Sequence, residues 1–219
     1  MCMLLFDSSI RMRSQPMQSS AQMQVDLPAV IEIQTTGEMN GRTRLYEKHL
    51  GDMSGVYLDT EQYEQAVAES GPDTLIYFVN EHKYQDGPGA LIVGTSTLLP
   101  GKVGDEFAVT RGHLHATANR AELYHCLSGH GVMMLETASG EVSTVELTPG
   151  KAVNVPGHWI HRSVNVGTEP FVTLFCYAAD AGQNYDIIAD AGGMKTMIID
   201  DGAGSWTAVP NPRHTGYEG

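Results

Sequence analysis

His113-Leu114-His115 sets two imidazoles two residues apart, and on an extended strand side chains at that spacing point to the same face. Two neutral imidazoles side by side make half of a metal site. Glu122 follows seven residues after His115, far enough for a turn and the start of a next strand, from which its carboxylate can offer an oxygen ligand. His161 comes after the turn signal Pro156-Gly157 and can close the set. Three nitrogens and one carboxylate leave positions open on a six-coordinate ion, which suits Fe(II), Mn(II), Ni(II) or Zn(II) and a substrate that chelates through two oxygens. Open positions mean catalysis rather than structure. The His-x-His pair by itself carries little. Nine histidines in 219 residues bring some together by chance, and a surface or core role is the commoner outcome for such a pair.

The elements that must position these residues read as mostly β. From Leu75 onward come short β-rich runs: Leu75-Ile76-Tyr77-Phe78-Val79, Ala90-Leu91-Ile92-Val93, Glu106-Phe107-Ala108-Val109, Val132-Met133-Met134-Leu135, Ala152-Val153-Asn154-Val155 and Phe171-Val172-Thr173-Leu174-Phe175. Turn punctuation separates them at Gly87-Pro88-Gly89, Pro100-Gly101, Ser139-Gly140 and Pro149-Gly150, the pattern of many antiparallel strands in a sandwich or barrel. No fixed-period repeat points to a propeller or solenoid. One helix is expected, capped at Asp59-Thr60, running through Ala68 and stopping at Gly71-Pro72, with Tyr63 and Val67 on its buried face.

The Ser- and Gln-rich stretch near the start has no sustained apolar period, so residues 1–24 are expected to be a flexible extension and 25–219 a single domain. A formal charge of −13, from 26 acidic against 13 basic residues, argues against nucleic acid or an anionic membrane as the main partner. An anionic substrate must then be held by local donors. Cys2, Cys126 and Cys176 are widely spaced with no CxxC pair, which favours a reducing compartment over a disulfide framework or thiolate zinc site. No apolar run approaches about 20 residues, and a cytoplasmic protein is expected.

The residues around the ligand candidates repeat a two-part pattern. Glu122 is followed by Gly129, and later Gly150 by Pro156, His161 and Asn165. This spacing resembles the two motifs of cupins, small β-barrels of the double-stranded β-helix or jelly-roll type. The resemblance implies an all-β cupin barrel with a few peripheral helices, and a metal ion held by His113, His115, Glu122 and His161. The gap between His115 and Glu122 is longer than the common cupin form, and His158 stands where many cupins have Gly. The longer gap, with Thr110-Arg111-Gly112-His113-Leu114-His115, Arg120-Ala121-Glu122-Leu123-Tyr124, Pro100-Gly101-Lys102-Val103-Gly104 and Ala179-Asp180-Ala181-Gly182, is similar to the cupin-type glucose-6-phosphate isomerases over roughly residues 25 to 213.

That resemblance implies an aldose-ketose isomerase of phosphosugars, with one divalent ion per subunit, Fe(II) first, and a homodimer. Glu122 would carry a proton between C1 and C2, with a hydride shift as the rival mechanism. The phosphate would sit near Ser96, Thr110, the backbone of Gly112 and Tyr177, all neutral donors. Tyr124 would point into the barrel beside Glu122 as a hydrogen-bonding group, and Tyr185 would form a further wall. Gln183 stands where some members carry a histidine near the substrate; it still donates and accepts hydrogen bonds. Alternatives on the same ligand shell are a metal-dependent dioxygenase or decarboxylase, and a non-enzymatic sugar-binding cupin. His49, His82, His125 and His214 lack ligand-like surroundings, whereas His158 lies close enough to His161 to support it.

Overall fold

A computed structural model describes residues 27–218; the 1–24 extension lies outside the described residues. In chain order the strands are β1 (Arg44–His49), β2 (Leu75–Lys83), β3 (Leu91–Leu98), β4 (Lys102–Val103), β5 (Glu106–Phe107) and β6 (Glu122–Ser128). They continue with β7 (Gly131–Thr137), β8 (Val142–Leu147), β9 (Ala152–Val155), β10 (Trp159–Asn165), β11 (Phe171–Ala178), β12 (Thr196–Asp200) and β13 (Trp206–Pro210). Helices α1 (Thr60–Ser70) and α2 (Asp186–Asp190) are peripheral. Among the described residues no helix is long and apolar enough to cross a membrane.

Every strand pair is antiparallel. The largest sheet has the order β1-β2-β3-β11-β6-β9, the second β10-β7-β8 and the third β13-β12-β5-β4. The placement of β11 between β3 and β6 brings distant chain segments together, as a jelly-roll barrel requires. The fold is the expected all-β cupin barrel, and its interior is where the candidate residues meet.

Alternation decides what enters that interior. Along β6, Glu122, Tyr124 and Cys126 are buried while Leu123 is exposed. By contrast β7 is buried over its whole apolar length, Gly131 to Glu136, because a second layer covers its outer side. Part of that cover is fixed by Glu136, which accepts the N–H groups of Lys195 and Thr196 at 2.8 Å each and the Tyr217 hydroxyl. The core beneath joins Phe171, Leu98, Met133, Met134, Leu147, Ile160 and Val164, each under 3 % exposed. Burying a side chain such as Phe171 contributes about 2–3 kcal/mol.

Helix α1 forms where the capping signal placed it: the Asp59 carboxylate accepts the Gln62 N–H at 2.9 Å, and the Gly71 N–H closes on the Val67 carbonyl at 2.9 Å. Tyr63 and Val67 are half-buried against the core rather than enclosed, and the Tyr63 hydroxyl donates to the Leu50 carbonyl at 2.8 Å.

Two expected strands differ from expectation. Glu106-Phe107-Ala108-Val109 is a strand only over its first two residues, and Val109 then pairs alone with Val164. The segment carrying His113 and His115 is not a continuous strand either; it pairs at isolated bridges, His113 with His161 and Leu114 with Asn184. The reason is Gly112, whose φ of +72° turns the chain out of extended geometry. A Cβ there would stand 2.9 Å from the His161 carbonyl oxygen and from Ile188 Cδ1, so the close approach of the two ligand-bearing segments needs glycine.

Candidate metal centre

The four ligand candidates come from three chain segments and converge. His115, Glu122 and His161 are 2–3 % exposed, and the ligand atoms of His113, His115, Glu122 and His161 all lie within 4.8 Å of one another. Glu122 Oε2 is the focus, at 3.1 Å from His115 Nε2, 3.0 Å from His161 Nε2 and 4.0 Å from His113 Nε2. Ligands about 2.1 Å from one ion lie about 3.0 Å apart when at right angles, so these separations suit a shared cation.

The hydrogen bonds on the far sides of the rings support the same reading. His115 Nδ1 faces the Arg120 carbonyl at 2.9 Å, and His161 Nδ1 faces the Trp159 carbonyl at 3.1 Å. A carbonyl only accepts, so each Nδ1 must carry the proton, and a neutral ring then aims its Nε2 lone pair at Glu122. Lone pairs facing a carboxylate oxygen repel, and a cation between them, or an added ring proton, resolves the conflict. His113 Nε2 is buried with no hydrogen-bond partner at all, a costly arrangement that a metal ion would satisfy.

Electrostatics within the cluster follow from burial and from Glu122. Burial alone would raise the Glu122 carboxyl, but where His115 and His161 carry the added ring proton their hydrogen bonds outweigh burial and hold the group well below the usual carboxylate range. Burial, with His161 adding to it, depresses His113 well below its usual value. For His115 burial also lowers the value, yet its hydrogen bond to Glu122 and that charge prevail and raise it. An ionised carboxylate beside a neutral His113 is a combination that cation ligation uses.

A cavity opens from this cluster. It brings together Ser96, Thr110, Gly112, His113, Glu122, Tyr124, His161, Tyr177, Gln183 and Tyr185, the substrate-facing candidates read from the sequence. Tyr124 stands with its ring 5.8 Å from that of His161, and burial followed by the Glu122 charge pushes its hydroxyl well above the usual range. It is therefore a neutral donor. Thr110 Oγ1 accepts the Ser163 N–H at 3.1 Å, which leaves its own proton to offer. Tyr185 donates to Gln183 Oε1, and its ring lies 5.7 Å from that of His113. Tyr177 donates to Glu81 Oε1 at 3.3 Å.

His158 is exposed and sits at φ +70°, its N–H donating to the Ala118 carbonyl at 2.5 Å, so it gives the cluster no direct support. His130 pairs instead with Glu146 at 2.7 Å. Arg111 lies over the Tyr185 ring at 5.4 Å. Sequence reasoning missed Tyr46, Tyr77, Glu81, Ser163 and Phe175, which also line the cavity. Two of them carried a usable signal: Tyr77 and Glu81, with Val79 between them, share one face of β2 by alternation.

Three histidines and a carboxylate converging inside an all-β jelly-roll barrel define a cupin with a candidate metal site. Its relatives narrow the class. The family model described as "Glucose-6-phosphate isomerase (GPI)" matches residues 47–214, and the chain belongs to that family. It is 46 % identical over 185 residues to a glucose-6-phosphate isomerase of Sinorhizobium medicae, covering 84 % of this chain and 86 % of the relative. It is 44 % identical over 178 residues to the glucose-6-phosphate isomerase of Thermococcus gammatolerans, covering 81 % and 91 % respectively. Among solved structures, the oxalate decarboxylase formate complex of Lactobacillus farciminis is similar at a TM-score of 0.41 and 17 % identity, over 49 % of this chain and 30 % of that one.

Proposed function

We propose that this chain interconverts glucose 6-phosphate and fructose 6-phosphate. The observation that carries the reading is the placement of Glu122, which turns Oε2 toward three imidazoles inside a cavity otherwise supplied with neutral hydroxyl and amide donors. A divalent ion on these four residues, Fe(II) first among Fe(II), Mn(II), Ni(II) and Zn(II), supplies Lewis acidity to the C1 and C2 oxygens of the open-chain sugar.

The chain's own groups do the rest. Glu122 Oε1 makes none of the three contacts to imidazole and is the proton carrier: it removes the proton from C2 of the aldose and returns it to C1 through a cis-enediol, while the proton of the C2 hydroxyl passes to the C1 oxygen. Tyr124, held neutral, donates a hydrogen bond to a sugar oxygen beside Glu122. Ser96, the Thr110 hydroxyl and the Gly112 N–H bind the phosphate without a cationic cluster, in keeping with an acidic chain. Tyr177 joins them by releasing Glu81. Gln183 and Tyr185, bonded to each other, close the wall beside His113. We place the activity in the cytoplasm, on the spacing of the cysteines, and in a homodimer, on the family resemblance.

The test is conversion of fructose 6-phosphate by the purified protein, coupled to a glucose-6-phosphate dehydrogenase and read as NADPH. Appearance of NADPH in proportion to the protein added supports the reading. No NADPH from protein shown to contain metal would overturn it, and oxygen uptake on an organic acid would then favour the oxygenase alternative.

A further inference from the structure

Glu81 lies on the inward face of β2, lines the cavity and is 6 % exposed. A carboxylate can accept about four hydrogen bonds, and among the described residues two long contacts reach this one. Tyr177 donates to Oε1 at 3.3 Å, and Arg44 Nη1 stands 3.4 Å from Oε2. The Arg44 side chain is 64 % exposed, so water screens much of its charge. Glu136 shows how a buried carboxylate looks when the fold itself satisfies it: two backbone N–H groups at 2.8 Å and a tyrosine hydroxyl. Glu81 is under-bonded by comparison, at a position that lines the cavity.

Its position relative to Glu122 is set by the sheet. From β2 through β3 and β11 to β6 are three strand spacings, about 14 Å at the backbone. Tyr177 stands opposite Glu122 in register and reaches Glu81 with its hydroxyl, so it spans part of that distance. In the row between, Gly94 pairs with Glu81 on one side and Phe175 on the other. A Cβ on Gly94 would lie 2.3 Å from Phe175 Cζ, so the ring occupies the space directly opposite Glu81 on β3.

A carboxylate accepts from hydroxyls and repels a phosphate dianion. With the C1 and C2 oxygens taken by the ligand cluster, the hydroxyls left for it are those farther along the sugar chain. We propose that Glu81 recognises these non-reacting hydroxyls and fixes which way round the phosphosugar enters, an assignment that rests on the isomerase reading above. Removing the charge therefore weakens the sugar and spares the phosphate.

The experiment compares wild type with Glu81→Gln, which keeps the side-chain size and an acceptor for Tyr177. Calorimetry gives the affinity for glucose 6-phosphate and, separately, for inorganic phosphate; the coupled assay gives KM and kcat. Glu81→Gln is expected to bind glucose 6-phosphate about tenfold more weakly, with KM rising in step, kcat within about threefold, metal content as in wild type, and phosphate affinity unchanged or higher, because Tyr177 leaves a neutral amide more readily than a carboxylate. Unchanged affinity for glucose 6-phosphate, or phosphate affinity falling equally, overturns the assignment. Calorimetry needs no turnover. A wild type that binds glucose 6-phosphate but does not convert it counts against the isomerase reading alone, and one that binds none overturns both.

Discussion

His113 and His161 face each other across an isolated antiparallel bridge in which each N–H donates to the other's carbonyl, at 3.1 and 3.0 Å, and their rings stand 4.4 Å apart. Two ligands from distant parts of the chain thus owe their relative position to main-chain geometry. Their separation does not depend on a side-chain contact that a neighbouring substitution could release.

Replacing one of them should abolish the site without unfolding the barrel. His161→Ala is expected to lose bound metal and turnover together, read by elemental analysis and the coupled assay on the same sample. His214→Ala is the control. His214 Nδ1 bonds the Gly193 carbonyl at 2.8 Å and its ring packs on Tyr217, far from the cluster in function, so only about 1 kcal/mol of stability should go. Retained metal and full activity in His161→Ala would remove the ligand assignment.

Glu122→Gln separates ligation from proton transfer. The amide keeps the shape and one oxygen, so metal should remain at reduced affinity while kcat falls about 100- to 10,000-fold. A variant that holds metal and turns over at the wild-type rate would end the proton-carrier role.

Gly112→Ala tests the close approach of the two segments. A residue with a Cβ at φ +72° costs about 1–3 kcal/mol, and this Cβ also meets the His161 carbonyl and Ile188. Urea unfolding should show that loss. Metal affinity should fall as well, because His113 is the next residue. A variant as stable as wild type, with normal metal affinity, would contradict the geometry.

The cavity tyrosines set an alkaline limit. Burial pushes the Tyr77 hydroxyl up to about 12, and raises Tyr124, Tyr177 and Tyr185 too. An acid whose folded value is raised keeps its proton where the unfolded chain, near 10, gives it up. The stability these groups contribute is complete below about pH 10 and is lost as pH rises toward their folded values. Absorbance near 295 nm should therefore show these rings ionising well above the range of exposed tyrosines, together with unfolding. Ionisation of all tyrosines near pH 10 in folded protein would show that the rings are not buried as described.

The candidate ligand set was legible because metal chemistry limits the choice of residue type and because the spacing of the residues around it resembles the cupin motifs. Glu122 and Tyr124 could be placed on one face of β6 from the sequence alone. What escaped was the opposite wall. Tyr46 and Glu81 belong to β1 and β2, and their approach to β6 depends on β11 inserting between β3 and β6, a topology that no local pattern encodes. The short strands β4, β12 and β13 were similarly hidden, since two to five residues give too little alternation to read. His158 misled for a related reason: three residues from His161 along the chain is not proximity when a left-handed turn intervenes.

The most direct test of the central claim strips the protein with chelator and reloads it separately with Fe(II), Mn(II), Ni(II) and Zn(II), wild type and His161→Ala side by side, following fructose 6-phosphate conversion. Conversion should vanish on stripping, return with one or more ions in the wild type, and stay absent in the variant under every ion. Full conversion by stripped wild type, or ion-restored conversion in His161→Ala, would contradict a metal-dependent isomerase built on these four residues.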